Sequence, residues 1–182
     1  MSFMETPLEG VRLIDVETIP DERGFFARTW SLQEFRDQGL ETRIIQCSAS
    51  YNTRKGTLRG LHFQIAPHAE TKIVRCTRGS VFDVAVDLRK SSPTYRNWWG
   101  VELSSENRRM LYIPENCAHG FLTLEDDTEV HYQISAVYQP EAARGVRWND
   151  PAIGIVWPGE PAVMNDRDRG YPDFDEKKLG IS

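Results

Sequence analysis

From Val11 to Val137 the chain follows one pattern, in which short β-branched and aromatic runs are each closed by a turn signal. Val11–Val16, Thr42–Ser50, Lys72–Cys76, Ser80–Leu88, Trp98–Leu103, Met110–Ile113 and Glu129–Val137 are the predicted strands. Gly24, Gly56, Gly79, Ser91-Ser92-Pro93 and Pro114-Glu115-Asn116 separate them. Short strands at this spacing pair with their neighbours and close on themselves, which predicts an all-β chain: a jelly roll, sandwich or barrel with a few short helices. One helix is expected at Ser31–Arg36, with Ser31 as N-cap and Glu34 completing a capping box before Gly39. From Pro158 onward the chain turns polar and proline-bearing, as expected of a surface extension packed on the β core.

At 182 residues the chain suits one well-buried core, so a single domain over 1–182 is expected, with an N-terminal strand arm and a C-terminal extension. A net charge of -5 argues against a nucleic-acid surface, and any anionic ligand must be met by local cations. The longest apolar stretches, such as Val84-Ala85-Val86, are far too short to span a bilayer, and Met1–Gly10 has no apolar signal segment. A cytoplasmic protein without a membrane partner is therefore expected. Cys47, Cys76 and Cys117 lack Cys-x-x-Cys spacing and read as reduced thiols.

The most informative segment runs from Gly56 to Gln64, followed by Lys72 and Gly79. In a metal-binding cupin this region carries a His-x-His pair and a glutamate seven residues before the glycine. Here the second histidine is Gln64 and the glutamate position is Lys72. An ammonium where a carboxylate ligand belongs repels a divalent cation, so no metal is expected. A second cupin element, Pro114–Phe121, returns His119 to the same mouth.

Without a metal, these residues suit proton transfer beside a ketone. His62 can act as the base and Lys72 as the cation where an enolate oxygen develops. Inversion also needs a donor on the opposite face, for which Tyr132 is available. A carboxylate behind His62 would fix its tautomer, and Asp83, Asp87 and Asp168 are all candidates. Each site residue also has a structural reading. His119 beside Gly120 suits a tight turn, Tyr132 and Tyr138 suit ordinary strand packing, and Asp83 and Asp87 suit buried pairing.

Asp21–Phe26, Leu58–Gln64, Phe82–Arg89, Ala118–Phe121 and Trp148–Pro151 together resemble the dTDP-4-dehydrorhamnose 3,5-epimerase family, over roughly residues 8–175. The resemblance implies a cofactor-independent cupin homodimer acting on a nucleotide-diphospho-4-keto-6-deoxy sugar. It implies that His62 pairs with Asp168, that Lys72 steadies the enolate and that Tyr132 is the acid. Arg23, Gln46 and Arg59 would hold the diphosphate, Phe26 and Tyr138 would flank the base or sugar, and His119 and Arg167 would line the substrate site. Arg23 would reach a ligand on a strand exchanged between subunits.

Two positions depart from the family. Arg28 stands where a glutamate is usual, and Ser48 replaces the asparagine of Gln-x-Asn-x-Ser. Both fall at the expected nucleotide end, where Arg28 can bind phosphate or pair with a carboxylate. They keep open epimerisation at one carbon or on another nucleotide sugar, beside a third reading as a non-catalytic sugar-nucleotide-binding cupin and a fourth as a metal-dependent cupin enzyme.

Overall fold

The computed structural model describes residues 1–179, so the last three positions of the expected 1–182 domain lie outside the described residues. In chain order the elements are β1 (Ser2–Glu5), β2 (Arg12–Asp15), β3 (Thr18–Asp21), β4 (Gly24–Ala27), α1 (Leu32–Asp37), β5 (Gln46–Asn52), β6 (Leu58–Gln64) and β7 (Lys72–Arg78). They continue with β8 (Ser80–Asp87), β9 (Trp98–Ser104), β10 (Met110–Ile113), β11 (Cys117–Thr123), β12 (Thr128–Ile134), β13 (Ala143–Gly145), α2 (Asp166–Arg169) and α3 (Glu176–Leu179).

Two antiparallel sheets form the body. A 6-stranded sheet runs β1-β2-β10-β7-β12-β5 and a 5-stranded sheet runs β13-β6-β11-β8-β9. Alternation decides what each face carries. On β8, Val81 and Ala85 point between the sheets, where they meet Val74, Leu111, Phe121 and Val130, while Val84 and Val86 point outward. The C-terminal segment covers that outer face with Ile153, Trp157, Phe174 and Leu179. The segment therefore supplies part of a core rather than a polar surface coat. Thr57 bridges Val163, which lays the segment along the start of β6.

The outer face of the 6-stranded sheet is covered by α1, whose Phe35 also packs edge-on against Phe3 of the edge strand β1. Six residues are too few for a helix to persist alone, so α1 depends on docking. Phe35 is fully buried against Ile14, Ile73, Met110 and Tyr112, a burial worth about 2–3 kcal/mol. Ser31 caps the helix as expected, accepting from the Glu34 N–H at 3.4 Å. The reciprocal half of the capping box is replaced, because the Glu34 carboxylate takes the N-terminal ammonium at 2.9 Å and Arg28 at 3.3 Å.

Several strand limits differ from expectation. The strand expected at Thr42–Ser50 begins at Gln46 and extends to Asn52, in register with its partner β12 from Ile134 to Thr128. The fully exposed β3 and its partner β4 form a separate two-stranded ribbon that hydrogen-bonds to neither main sheet.

Candidate active site

The inward positions of five strands converge at one end of the sandwich. Gln46 and Ser48 come from β5, His62 and Gln64 from β6, Lys72 from β7, His119 and Phe121 from β11, and Tyr132 and Ile134 from β12. Register aligns them: Ile134 pairs with both Gln46 and Lys72, and Tyr132 pairs with Ser48. They line a cavity of about 370 Å³, to which the C-terminal segment adds Asn165, Arg167 and Asp168.

His62 and His119 are direct cross-strand partners, just before the register shifts along β11. The close approach of β6 and β11 depends on two glycines. A Cβ on Gly60, whose φ is +130°, would lie 2.5 Å from the Gly120 Cα, so neither position has room for a side chain.

Each histidine has its own carboxylate. His62 Nε2 lies 2.7 Å from Asp168 Oδ1, and Asp168 Oδ2 accepts the Gly60 N–H at 3.0 Å. Asn165 caps α2 by accepting the Asp168 N–H at 2.7 Å, which fixes where that carboxylate stands. Burial acts to raise the Asp168 carboxyl, but the hydrogen bonds from His62 and Gly60 and the nearby Arg167 charge outweigh it and hold the group below the ordinary carboxylate range. An ionised Asp168 can only accept in this contact, so the proton between them sits on His62 Nε2 and Nδ1 is the ring nitrogen left for other partners.

His119 pairs in the same way with Asp83, Nε2 to Oδ1 at 2.8 Å, and both side chains are buried. Asp87 is occupied elsewhere. It binds Arg89 through two nitrogens and takes the Thr94 hydroxyl at 2.7 Å, organising the turn after β8. Of the three aspartates left open by sequence, only Asp168 reaches His62.

Lys72 is buried, with its Nζ 3.1 Å from the His62 carbonyl oxygen and 2.9 Å from Glu70 Oε1. Tyr132 places its hydroxyl 3.4 Å from Ser50 Oγ and its ring edge-on to His119. Burial pushes the phenol well above its ordinary value, with the Ser50 hydrogen bond offsetting part of the rise. It therefore remains protonated at neutral pH and available as a donor. At the mouth, Arg59 is held by Asn52 Oδ1 at 2.7 Å, Tyr138 donates its N–H to Gln46 Oε1 at 2.8 Å, and Arg167 lies over the Tyr171 ring.

The donors do not fit a divalent cation. Both histidines are engaged by aspartates, and the Lys72 ammonium stands where a third ligand would be required. Among the described residues no group of three His, Cys, Asp or Glu side chains is placed to hold an ion.

Every residue expected at the site lines this cavity except Arg23, Phe26 and Arg28. Arg23 pairs with Asp21 in the β3–β4 ribbon, Phe26 is 65% exposed on the same ribbon, and Arg28 pairs with Glu34. Two further residues adjoin the machinery without having been anticipated. Glu70 touches Lys72 directly, and its Glu-x-Lys spacing was the available signal. Tyr171 packs edge-on to His62, over a β13 glycine, Gly145, that has no room for a Cβ. Nothing in the sequence links that tyrosine to His62. Cys76 and Cys117 are buried, and burial pushes their thiols up to about 11 and about 12, consistent with unreactive core residues.

A family profile described as dTDP-4-dehydrorhamnose 3,5-epimerase matches residues 5–176. A Methanothermobacter thermautotrophicus protein of that name is 46% identical over 180 residues, covering 97% of this chain and 96% of the relative. The crystal structure of dTDP-4-dehydrorhamnose 3,5-epimerase from Elizabethkingia anophelis superposes with a TM-score of 0.92 at 36% identity, covering 96% of each chain. A Legionella pneumophila 3,5-epimerase solved in complex with dTDP-4-keto-L-rhamnose superposes at 0.86 with 36% identity, over 92% of this chain and 89% of that one. These neighbours share the cupin-type β-sandwich described above.

Proposed function

Because the chain belongs to the dTDP-4-dehydrorhamnose 3,5-epimerase family and is accordingly an isomerase, we propose that its cavity inverts C3 and C5 of dTDP-4-keto-6-deoxyglucose through His62, Lys72, Tyr132 and Asp168. The observation that carries this assignment is the His62–Asp168 contact at 2.7 Å, set in a cavity that also presents Lys72 and Tyr132.

His62 Nδ1 removes the proton from a carbon next to the C4 ketone. The C–H electron pair moves into the C–C bond, the carbonyl pair moves onto O4, and the resulting enolate oxygen is met by the Lys72 ammonium. Tyr132 then gives its phenolic proton to the same carbon from the opposite ring face, and the ketone re-forms. The same sequence at the second carbon completes the double inversion, after His62 has released its proton to solvent and Tyr132 has regained one. Asp168 keeps the His62 tautomer and stabilises the imidazolium that forms. No cofactor enters these steps.

Arg59, Arg167, Gln46 and Tyr138 stand at the cavity mouth, where they suit the diphosphate and nucleoside. Arg23 and Phe26 cannot serve their own cavity from the β3–β4 ribbon as it stands. Ile19, Phe25 and Phe26 are all at least half exposed there, and an isolated two-stranded ribbon is marginal in water. This supports a homodimer in which the ribbon of each copy closes the site of the other. In this reading the working unit is one domain over 1–182 per subunit, with an N-terminal arm, acting in the cytoplasm. No helix among the described residues is long and apolar enough to cross a membrane.

Arg28 is engaged by Glu34 in the single chain, which favours its carboxylate-pairing role over phosphate binding. The assignment is tested by incubating the protein with dTDP-4-keto-6-deoxyglucose in deuterated water and reading C3 and C5 by NMR. Deuterium at both carbons with inversion is expected. Deuterium at one carbon selects the single-carbon epimerase, and binding without exchange selects the non-catalytic module.

A further inference from the structure

Lys72 does not stand alone in the cavity wall. Its stem rises from β7 between two acceptors, the His62 carbonyl oxygen at 3.1 Å and Glu70 Oε1 at 2.9 Å, with the Lys72 and Glu70 side chains 9% and 10% exposed. An ammonium has three N–H donors, so these contacts occupy two and leave one for the cavity.

Glu70 is itself held from behind. Its second oxygen accepts from Gln64 Nε2 at 3.0 Å, and Gln64 Oε1 accepts the Gln139 N–H at 2.6 Å. That amide cannot turn over without setting its carbonyl against the Glu70 carboxylate. Gln64 Nε2 also donates to the His68 carbonyl at 3.0 Å, which locks the loop carrying Glu70.

We propose that Glu70 is the positioning residue for Lys72. It fixes the ammonium so that its one free N–H is presented to the oxygen at C4 of the substrate. This rests on the reading of Lys72 as the group that meets the enolate. The positions that would carry a histidine and a glutamate in a metal-binding cupin here hold Gln64 and Lys72. The Gln64–Glu70–Lys72 chain thereby sets a fixed side-chain cation at the cavity wall.

The physical case is one of burial and reach. A lysine carries a flexible four-carbon stem, and a buried ammonium lacking a carboxylate partner is strongly disfavoured. Without Glu70 the ammonium is free to leave the cavity wall for water or for another acceptor. The effect falls on the transition state, because the contact with O4 strengthens only as negative charge develops there. The diphosphate and nucleoside contacts at the mouth are made by other residues and are left intact.

The test is a double-mutant cycle on the full-length protein with Glu70→Gln, Lys72→Ala and the pair together. Glu70→Gln keeps the shape and an acceptor for Gln64, but turns an amide NH₂ toward the ammonium. Its kcat is expected to fall about 10- to 100-fold, with KM and the affinity for dTDP within about twofold of the parent. Lys72→Ala is expected to lose at least as much, and the double variant to match Lys72→Ala. Glu70→Asp, which keeps the charge one carbon shorter, is expected to lie between Glu70→Gln and the parent, and it carries the test if Glu70→Gln does not fold. Parental kcat in the Glu70 variants beside a slowed Lys72→Ala overturns the positioning role alone, as do losses that multiply in the double variant. Parental kcat in Lys72→Ala overturns the reading of Lys72, and the role of Glu70 with it.

Discussion

Asp168 reaches His62 across 106 residues of chain, placing Oδ1 2.7 Å from Nε2 while its other oxygen accepts the Gly60 N–H. One carboxylate thus fixes both the imidazole and the backbone of the strand that carries it. The C-terminal segment thereby supplies part of the cavity wall as well as part of the core.

Replacing Asp168 by Asn keeps the shape but removes the charge and can present an N–H to His62 Nε2, favouring the wrong tautomer. A fall in kcat of about 10²- to 10⁴-fold is expected, read by steady-state turnover with dTDP affinity as control. The same substitution changes the acid limb of stability. The Asp168 carboxyl is held below the ordinary carboxylate range, so its contribution is fully present above that range and is lost as pH falls through the lower folded value. Denaturant titrations from pH 6 down to pH 2 are expected to show a shallower loss of stability in Asp168→Asn than in the parent below about pH 4.

Tyr132→Phe removes only the hydroxyl, which lies 3.4 Å from Ser50 Oγ. Proton abstraction by His62 survives this change, whereas delivery from the opposite face does not. In deuterated water the variant is expected to exchange substrate protons with retention, while net inversion falls about 10²- to 10³-fold. NMR of the recovered sugar separates the two results.

Gly60→Ala sets a Cβ against the Gly120 backbone at a positive φ. Overpacking and backbone strain together are expected to cost roughly 2–4 kcal/mol. Thermal denaturation should show a midpoint lower by about 5–15 °C.

If the β3–β4 ribbon closes the site of a second copy, His62 and Arg23 of one working site come from different chains. Arg23→Ala alone is expected to raise KM about tenfold. Co-expressing Arg23→Ala with His62→Ala then yields mixed dimers with one intact site, and activity above the sum of the two separate variants. No recovery would show that each chain serves its own site.

The sequence displayed those elements whose two faces differ. β12 alternates buried Thr128 and Val130 with partly exposed Glu129 and His131, and β8, though buried on both faces, was marked by its β-branched Val81, Val84 and Val86. By contrast β11 is buried along its whole length, so no alternation marks it as a strand, and β3 is exposed along its whole length and contains Pro20. The candidate site was legible where a motif fixed the residue type, as at His62 and Lys72, whereas Asp168 stood open beside Asp83 and Asp87 and was singled out only by the family resemblance. Glu70 was marked only by its Glu-x-Lys spacing and Tyr171 by nothing, because their contacts are made on folding: one with a lysine two positions along, the other with a histidine far upstream.

The most direct test of His62 as the base compares the parent with His62→Asn in deuterated water with dTDP-4-keto-6-deoxyglucose. The parent is expected to place deuterium at C3 and C5, and His62→Asn to place none at either carbon while binding dTDP with parental affinity. Continued exchange at C3 or C5 in His62→Asn would contradict the assignment, because the proton would then be leaving to another group.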